Sequence, residues 1–520
     1  MIGWYCHQWL LGTEQSQNHE RTRRPGQALK AMSIEKLREH VLANRQSIAY
    51  ALGGFSTGVL GTLFGMFNVM FFTRVVGLDN SFFYTGHIVY GIWNAVNDPA
   101  FGWLIDHTAN RANRRLPVIK YGGPLWCFFF MLTWYPWSSD GSSYTAFFHF
   151  LFSMFCYDGF LTYVLLVKCA LLADLCVDSK DRNSLNNYSA WFSLAGSSLA
   201  MTSYYAWDEH NLSPFRTVAW VFSMLAAVGW YYSGSMMIMP TEHFQSDRVI
   251  PDSKETEHLI NEKNKEKDTC GSNFMEFKKW LKFARQLLNQ RSFIAYVSMN
   301  WMMNFNVTLS RSFFIFLDKE VMKPQMSWSY YLVITTLCLY LPKFGIQIMT
   351  PFANKWGMYK FIKHVNEALI LVNLLALLVG FSNEKLWGIL VIAQMVLFSS
   401  WGFYDLIMAD VIDEDRVKWE REESVSTSVH GVQALIVKPS QSLAPMLGVW
   451  LLSKHGLHDT GSNAKTSHSS QLQHAIYSLM FGIPLVCTLC QYFIWRQYDL
   501  RGEKLKKIKS TLKGWNDTNT

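Results

Sequence analysis

Twelve apolar stretches of about 20 residues recur along this 520-residue chain, near 49–72, 82–105, 119–137, 144–173, 187–206, 216–239, 293–315, 328–352, 364–381, 386–409, 428–453 and 473–495. Each is long enough, as a helix, to cross roughly 30 Å of hydrocarbon. Length alone would allow two to four soluble domains. The composition argues otherwise: aromatic residues make up 16% and charged residues only 17%. The expected fold class is therefore an all-α membrane protein with twelve transmembrane helices.

The basic residues give the orientation. With both termini cytoplasmic, and with Lys120 and Arg216 at the edges of their stretches counted with the adjoining loops, the inner segments hold 36 of the 47 Lys and Arg and the outer segments hold 7. Four fall inside spans: Lys168, Arg311, Lys343 and Lys438. Cytoplasmic loops attract such an excess. The net charge of +8 is then a topological signal, and a nucleic-acid partner is not needed to explain it. The run Lys504, Lys506, Lys507 and Lys509 is expected to attract anionic lipid head groups.

The long polar segment near 240–291 divides the spans six and six. The expected units are an N-terminal tail (1–47), a first six-helix half (48–239), a linker (240–291), a second half (292–497) and a basic tail (498–520). The N-terminal tail lacks the charge order of a secretory signal, and an amphipathic helix is expected around 32–45. Within the linker, Phe274, Phe277, Trp280, Leu281, Phe283, Leu287 and Leu288 alternate with Lys278, Lys279, Lys282 and Arg285. That pattern predicts a basic amphipathic helix on the inner leaflet. The nine cysteines are scattered. Cys487 and Cys490 form a CxxC with no second pair, and no metal site is expected.

The second stretch closes with Asn94-Ala95-Val96-Asn97-Asp98-Pro99-Ala100-Phe101-Gly102, then Asp106, Arg111, Arg114 and Arg115. A carboxylate at membrane depth is costly, so Asp98 needs a partner, a proton or a bound cation. Pro99 disturbs the helix before it and frees backbone carbonyls. Asn94 lies one turn earlier on the same face. Asp158 interrupts the fourth stretch, and Lys438, followed by Pro439, sits within the eleventh.

The halves carry a faint parallel repeat. Leu171-Leu172-Ala173-Asp174 and Ile407-Met408-Ala409-Asp410 close the fourth and tenth stretches, and Pro99-Ala100-Phe101 is echoed by Pro351-Phe352-Ala353. Two parallel six-helix repeats with a midplane site between them are the major-facilitator arrangement.

The cassette Trp93-Asn94-Ala95-Val96-Asn97-Asp98-Pro99, with Gly102 and Trp103, resembles the second-helix motif of the glycoside–pentoside–hexuronide:cation symporters. These form the melibiose-permease-like branch of the major facilitator superfamily. Met408-Ala409-Asp410-Val411-Ile412-Asp413, Arg421-Glu422-Glu423 and Lys438 resemble that branch's tenth-to-eleventh helix region. The resemblance implies a cation site built from Asp98, Asn94, Asp158 and Lys438, with Lys438 reaching Asp98 or Asp158 between the halves. It also implies cytoplasmic gate charges at Asp106, Arg111, Arg115, Asp174, Arg182, Asp410 and Arg421.

Two departures matter. Sodium-coupled members commonly carry a second Asp where this chain has Asn94, so fewer carboxylates favour a proton over Na⁺. Melibiose-type members bind sugar through an acid in the first helix, and Gly53 to Gly58 contains none. Tyr90, Trp93, Arg311 and Asp405 are candidates for the solute cavity. The expected function is proton- or sodium-coupled symport of a sugar or related small organic solute by alternating access. The partners are that solute, the coupling cation and the lipid bilayer, in a monomer at the plasma membrane. A lysolipid or other amphiphile symporter and a non-transporting receptor or scaffold are the competing readings. An enzyme is not expected, since no nucleophile–base pair or metal cluster has usable spacing.

Overall fold

The computed structural model describes residues 34–106, 115–175, 179–237, 282–380, 383–421, 426–457 and 467–519, and these form helices and short turns. The first group of helices is α1 (Ile34–Met70), α2 (Asn80–Asp106), α3 (Gly123–Leu132), α4 (Tyr144–Leu175), α5 (Ser179–Met201) and α6 (Ser213–Met236). The second is α7 (Arg291–Phe316), α8 (Trp328–Trp356), α9 (Met358–Val379), α10 (Glu384–Lys418), α11 (Val429–Ser453) and α12 (Ser470–Trp495). A further helix, α13 (Glu503–Asn519), follows. Among the described residues, seven of these helices (α1, α4 and α8 to α12) hold an apolar stretch long enough to cross a membrane. In α7, Asn300, Asn304, Asn306 and Ser310 are all buried, where polar side chains are tolerated facing a bundle interior.

Within the first group, α1 packs on α5 at backbone distance. A Cβ at Gly54 or Gly58 would run into the carbonyl oxygen of Ser189 or Ser193, and one at Gly196 into that of Phe55. Small residues spaced by four let membrane helices approach this closely. The first helix of each group ends alike: α1 in a π-turn at Phe71–Val75 and α7 in one at Leu317–Met322. These are equivalent positions in a six-plus-six repeat.

The groups touch mainly where α1 meets α7 and where α2 meets α11. At the Val75 end, one continuous cluster of buried apolar side chains runs from Phe67, Phe71 and Trp134 into Phe313, Phe316, Leu317 and Met322. At the opposite end, the second group keeps a separate cluster that includes Tyr296, Phe403, Val411 and Trp495. Among the described residues, the halves are therefore sealed together by apolar packing at the Val75 end.

Two expectations for the polar segments change. The amphipathic stretch near 32–45 continues directly into α1 from Ile34. The linker helix is described over 282–288 only. It packs Phe283 and Leu287 into the second cluster instead of leaving them to lipid. The tail helix α13 likewise buries Ile508 and ties Lys504 to Glu414 and Lys509 to Asp410 at 2.9 Å.

Candidate coupling and solute site

Asp158 is buried near the middle of α4. Its carboxylate accepts hydrogen bonds from Asn97 Nδ2 at 2.5 Å and from the Tyr90 hydroxyl at 3.3 Å. Tyr90, Asn94 and Asn97 recur at spacings of four and three, so α2 presents them on one face. The amide oxygen Oδ1 of Asn97 is buried with no donor among the described residues. A carboxylate beside an unpaired amide oxygen is an oxygen-rich pair suited to a proton or a hard cation.

Lys438 comes to this seam from the other half. It stands at the junction between two helical segments, just before Pro439. Its Nζ donates to the Asn94 carbonyl at 2.9 Å. The α2 and α11 backbones cross closely here, since a Cβ at Gly91 would meet the Ser442 hydroxyl at 3.4 Å. Lys438 therefore reaches α2 one turn before Asp98. The side chain of Asp98 lies outside the described residues.

The four solute-cavity candidates fare differently. Tyr90 is engaged with Asp158. Trp93 stacks on Phe155 with ring centroids 5.2 Å apart, and Gly159 lies beneath it. It covers the α2–α4 seam instead of standing free in a cavity. Arg311 crosses from α7 to α1 and donates through Nη2 to the Gly61 carbonyl. It therefore links the two halves directly. Asp405 follows a 3₁₀ break in α10 at Ser399–Phe403. That break is tied to another in α8, Leu341–Phe344, by the Ser399 hydroxyl donating to the Pro342 carbonyl at 2.8 Å. Discontinuous helices near the midplane are a recurrent setting for transporter sites.

Among the gate candidates, Asp106, Arg111, Asp174 and Arg182 have side chains outside the described residues. Arg115 is half-buried before α3. Asp410 and Arg421 contact the tail, the linker and the second half itself. Asp410 pairs with Lys509. Arg421 pairs with Asp415 at 2.8 Å, donates to Gln286 and covers the Phe283 ring. Sequence reasoning could not foresee this, because the partners come from the linker and the tail.

The same reasoning missed polar contacts at the other end. Arg74 pairs with Glu320 at 3.3 Å, Lys319 donates to the Trp207 carbonyl at 3.1 Å, and Tyr205 bonds Thr336 at 2.9 Å. All three cross between halves. Asp318 is fully buried beside them, accepting from Tyr331 and Thr335. The charged run Asp318-Lys319-Glu320 was the available signal.

Mouse transmembrane protein 180 is 26% identical over 504 residues, covering 89% of this chain and 94% of that protein. The putative glycoside/cation symporter YagG of Escherichia coli K12 is 27% identical over 158 residues, covering 30% of this chain and 34% of its own length. The partially occluded inward-open structure of the E. coli xylose transporter XylE superposes with a TM-score of 0.54 at 12% identity, covering 88% of this chain and 98% of that one. At that identity the superposition speaks for the fold alone. The MFS/sugar transport protein family matches residues 49–502, so the chain belongs to that family and is a multi-pass membrane protein of the secondary-transporter class.

Proposed function

We propose that this protein is a cation-coupled symporter that moves a sugar or related small organic solute by alternating access. The observation that carries the reading is the crossing of α2, α4 and α11. There, Asp158 is held by Asn97 and Tyr90 while Lys438 of the other half rests on the Asn94 carbonyl. A cation arriving beside Asp158 or Asp98 competes with the lysine charge, and so changes how tightly the halves hold at this point. Coupling of this kind needs a ligand that distinguishes two conformations. A single half-site of one carboxylate and amide oxygens favours H⁺ over Na⁺.

The basic-residue asymmetry supports cytoplasmic termini, which makes the Val75 end the outer one. The packing at that end then corresponds to an inward-facing state. The plasma membrane is the proposed residence.

Thermal unfolding in lipid nanodiscs, across pH and with Na⁺ replacing K⁺, tests the coupling. A ligand bound only to the folded protein raises the midpoint. The wild type should respond to H⁺ or Na⁺, and Asp98→Asn and Asp158→Asn should lose that response. Lys438→Gln should fold and be insensitive to the ion. Equal midpoints for all four proteins under every condition would reject cation coupling and favour the receptor or scaffold reading.

A further inference from the structure

Two cations near the middle of the fold take no part in the coupling seam. Arg311 belongs to α7, and Lys343 to the 3₁₀ turn that interrupts α8. They converge on consecutive residues of α1 in the opposite half. Arg311 donates to the Gly61 carbonyl, and Lys343 Nζ lies 3.4 Å from the Thr62 hydroxyl. Gly61 lies near the centre of the span Arg45–Val75, and Lys343 near the centre of Trp328–Trp356. Both charges therefore sit at about the midplane.

The surroundings are shaped for them. A Cβ at Gly65 would run into the guanidinium, so the Gly61–Gly65 face of α1 is the groove that admits it. A Cβ at Gly61 would stand 3.9 Å from the Tyr157 hydroxyl. That tyrosine is fixed by Phe64, stacked on it with centroids 3.6 Å apart. Arg311 keeps substantial accessible surface and Lys343 is half-buried. Both side chains reach across to α1 of the opposite half.

Among the described residues, their charges are not balanced by an opposite charge. Among the described residues, no carboxylate lies within ion-pair distance of either, and the contacts they make are to neutral groups. They also lie within electrostatic reach of each other. Two like charges at membrane depth are costly, and such groups mark substrate or ion pathways. An oxyanion lowers that cost. A guanidinium offers paired N–H donors matched to carboxylate or phosphate, and an ammonium adds a point charge.

We propose that Arg311 and Lys343 form an oxyanion subsite between the halves, and that the transported solute carries a carboxylate or phosphate group. This inference deepens the symporter reading and rests on it for the word transported. The binding itself does not depend on coupling. Thr62 and Tyr157 are then the neutral hydroxyls beside the bound group.

The test is thermal unfolding and equilibrium binding in phosphatidylcholine nanodiscs, with glucuronate, glycerol 3-phosphate and inorganic phosphate as probes. Glucose and glycerol serve as the neutral counterparts. At least one oxyanion should raise the wild-type midpoint while its neutral counterpart does not, and the carboxylate and phosphate arms show which group is preferred. Lys343→Gln should weaken that binding by about tenfold or more, and Lys343→Arg should restore most of it. Arg311→Lys, which keeps the charge and removes the fork, should weaken it as well. Oxyanion effects of equal size in the wild type and Lys343→Gln would overturn the subsite. So would a response to glucose or glycerol with none to any oxyanion. Ion dependence that requires Asp158, without any oxyanion response, would overturn the subsite and leave the symporter reading standing. Oxyanion binding lost in Lys343→Gln but without ion dependence would do the reverse.

Discussion

Arg74, at the end of α1, and Glu320, in the π-turn that ends α7, pair at 3.3 Å across the two halves, with the arginine side chain nearly buried and the glutamate partly exposed. Partly exposed pairs of this kind contribute on the order of 1 kcal/mol or less. That is enough to shift a two-state equilibrium by up to about fivefold. Arg74→Gln should therefore enlarge the population open at the Val75 end. Spin labels at Ser142 and Lys323, exposed on opposite halves, should report a growing long-distance component. An unchanged distance distribution would show that the pair does not hold this end closed.

Glu209 lies in the loop before α6, facing Arg74, Lys319, Glu320 and His210. Burial pushes its carboxyl above the ordinary glutamate value, and Glu320 adds to this, although Arg74, Lys319 and His210 pull the other way. A raised carboxyl in the folded state favours folding most below the unfolded value of about 4.3 and loses that contribution as pH rises through the folded value. Glu209→Gln should thus unfold at a higher temperature than the wild type at neutral pH. The gap should close as pH falls below about 4.3. A gap that persists in acid would place the cause elsewhere.

The α1–α5 contact makes a stability prediction. Gly58→Ala and Gly196→Ala each drive a methyl group into a backbone carbonyl of the other helix. Overpacking of this kind costs about 1–3 kcal/mol. Gly431→Ala, with nothing near its added Cβ in a helical segment, should be neutral or stabilise by up to about 1 kcal/mol. Midpoints measured side by side in one detergent check the contrast. Equal effects at Gly58 and Gly431 would mean that α1 and α5 do not approach as closely as described.

Asp318 accepts from the Thr335 hydroxyl at 2.6 Å and from Tyr331 at 2.9 Å. Thr335→Val keeps the shape and removes one donor from a fully buried carboxylate. Leaving a buried group short of a partner costs about 1–3 kcal/mol. The substitution should lower the unfolding midpoint, and combining it with Asp318→Asn should cost less than the sum of the two singles.

The helix layout was legible because membrane thickness sets it. The apolar stretch 82–105 became α2 at Asn80–Asp106, and 328–352 became α8 at Trp328–Trp356. The carboxylate of Asp158 was also legible, since charge at that depth stands out in any apolar run. Its partner Asn97 was in view within the cassette, but an amide gives no such signal. Arg311 stood out as a charge within a span and a cavity candidate, but the helix it reaches was not legible, because its length carries it across to α1. The clue was the Gly61-xxx-Gly65 spacing, small residues that let a neighbour come close. Asp410 and Arg421 were read as cytoplasmic gate charges, but charge alone does not say which neighbour will answer it. Residues from the tail and the linker did.

The unbroken apolar cluster that joins Phe67 and Phe71 to Phe313 and Leu317 has a consequence for how the resting state responds to its surroundings. Ionic strength screens exposed charges within about 8 Å at physiological salt, but it has little hold on packed hydrocarbon. A closure made chiefly of aromatic and aliphatic surface is therefore set by water's reluctance to wet it, a force that weakens on cooling. The salt-tolerant, cold-sensitive side of this protein is the end where its two halves are welded by phenylalanine.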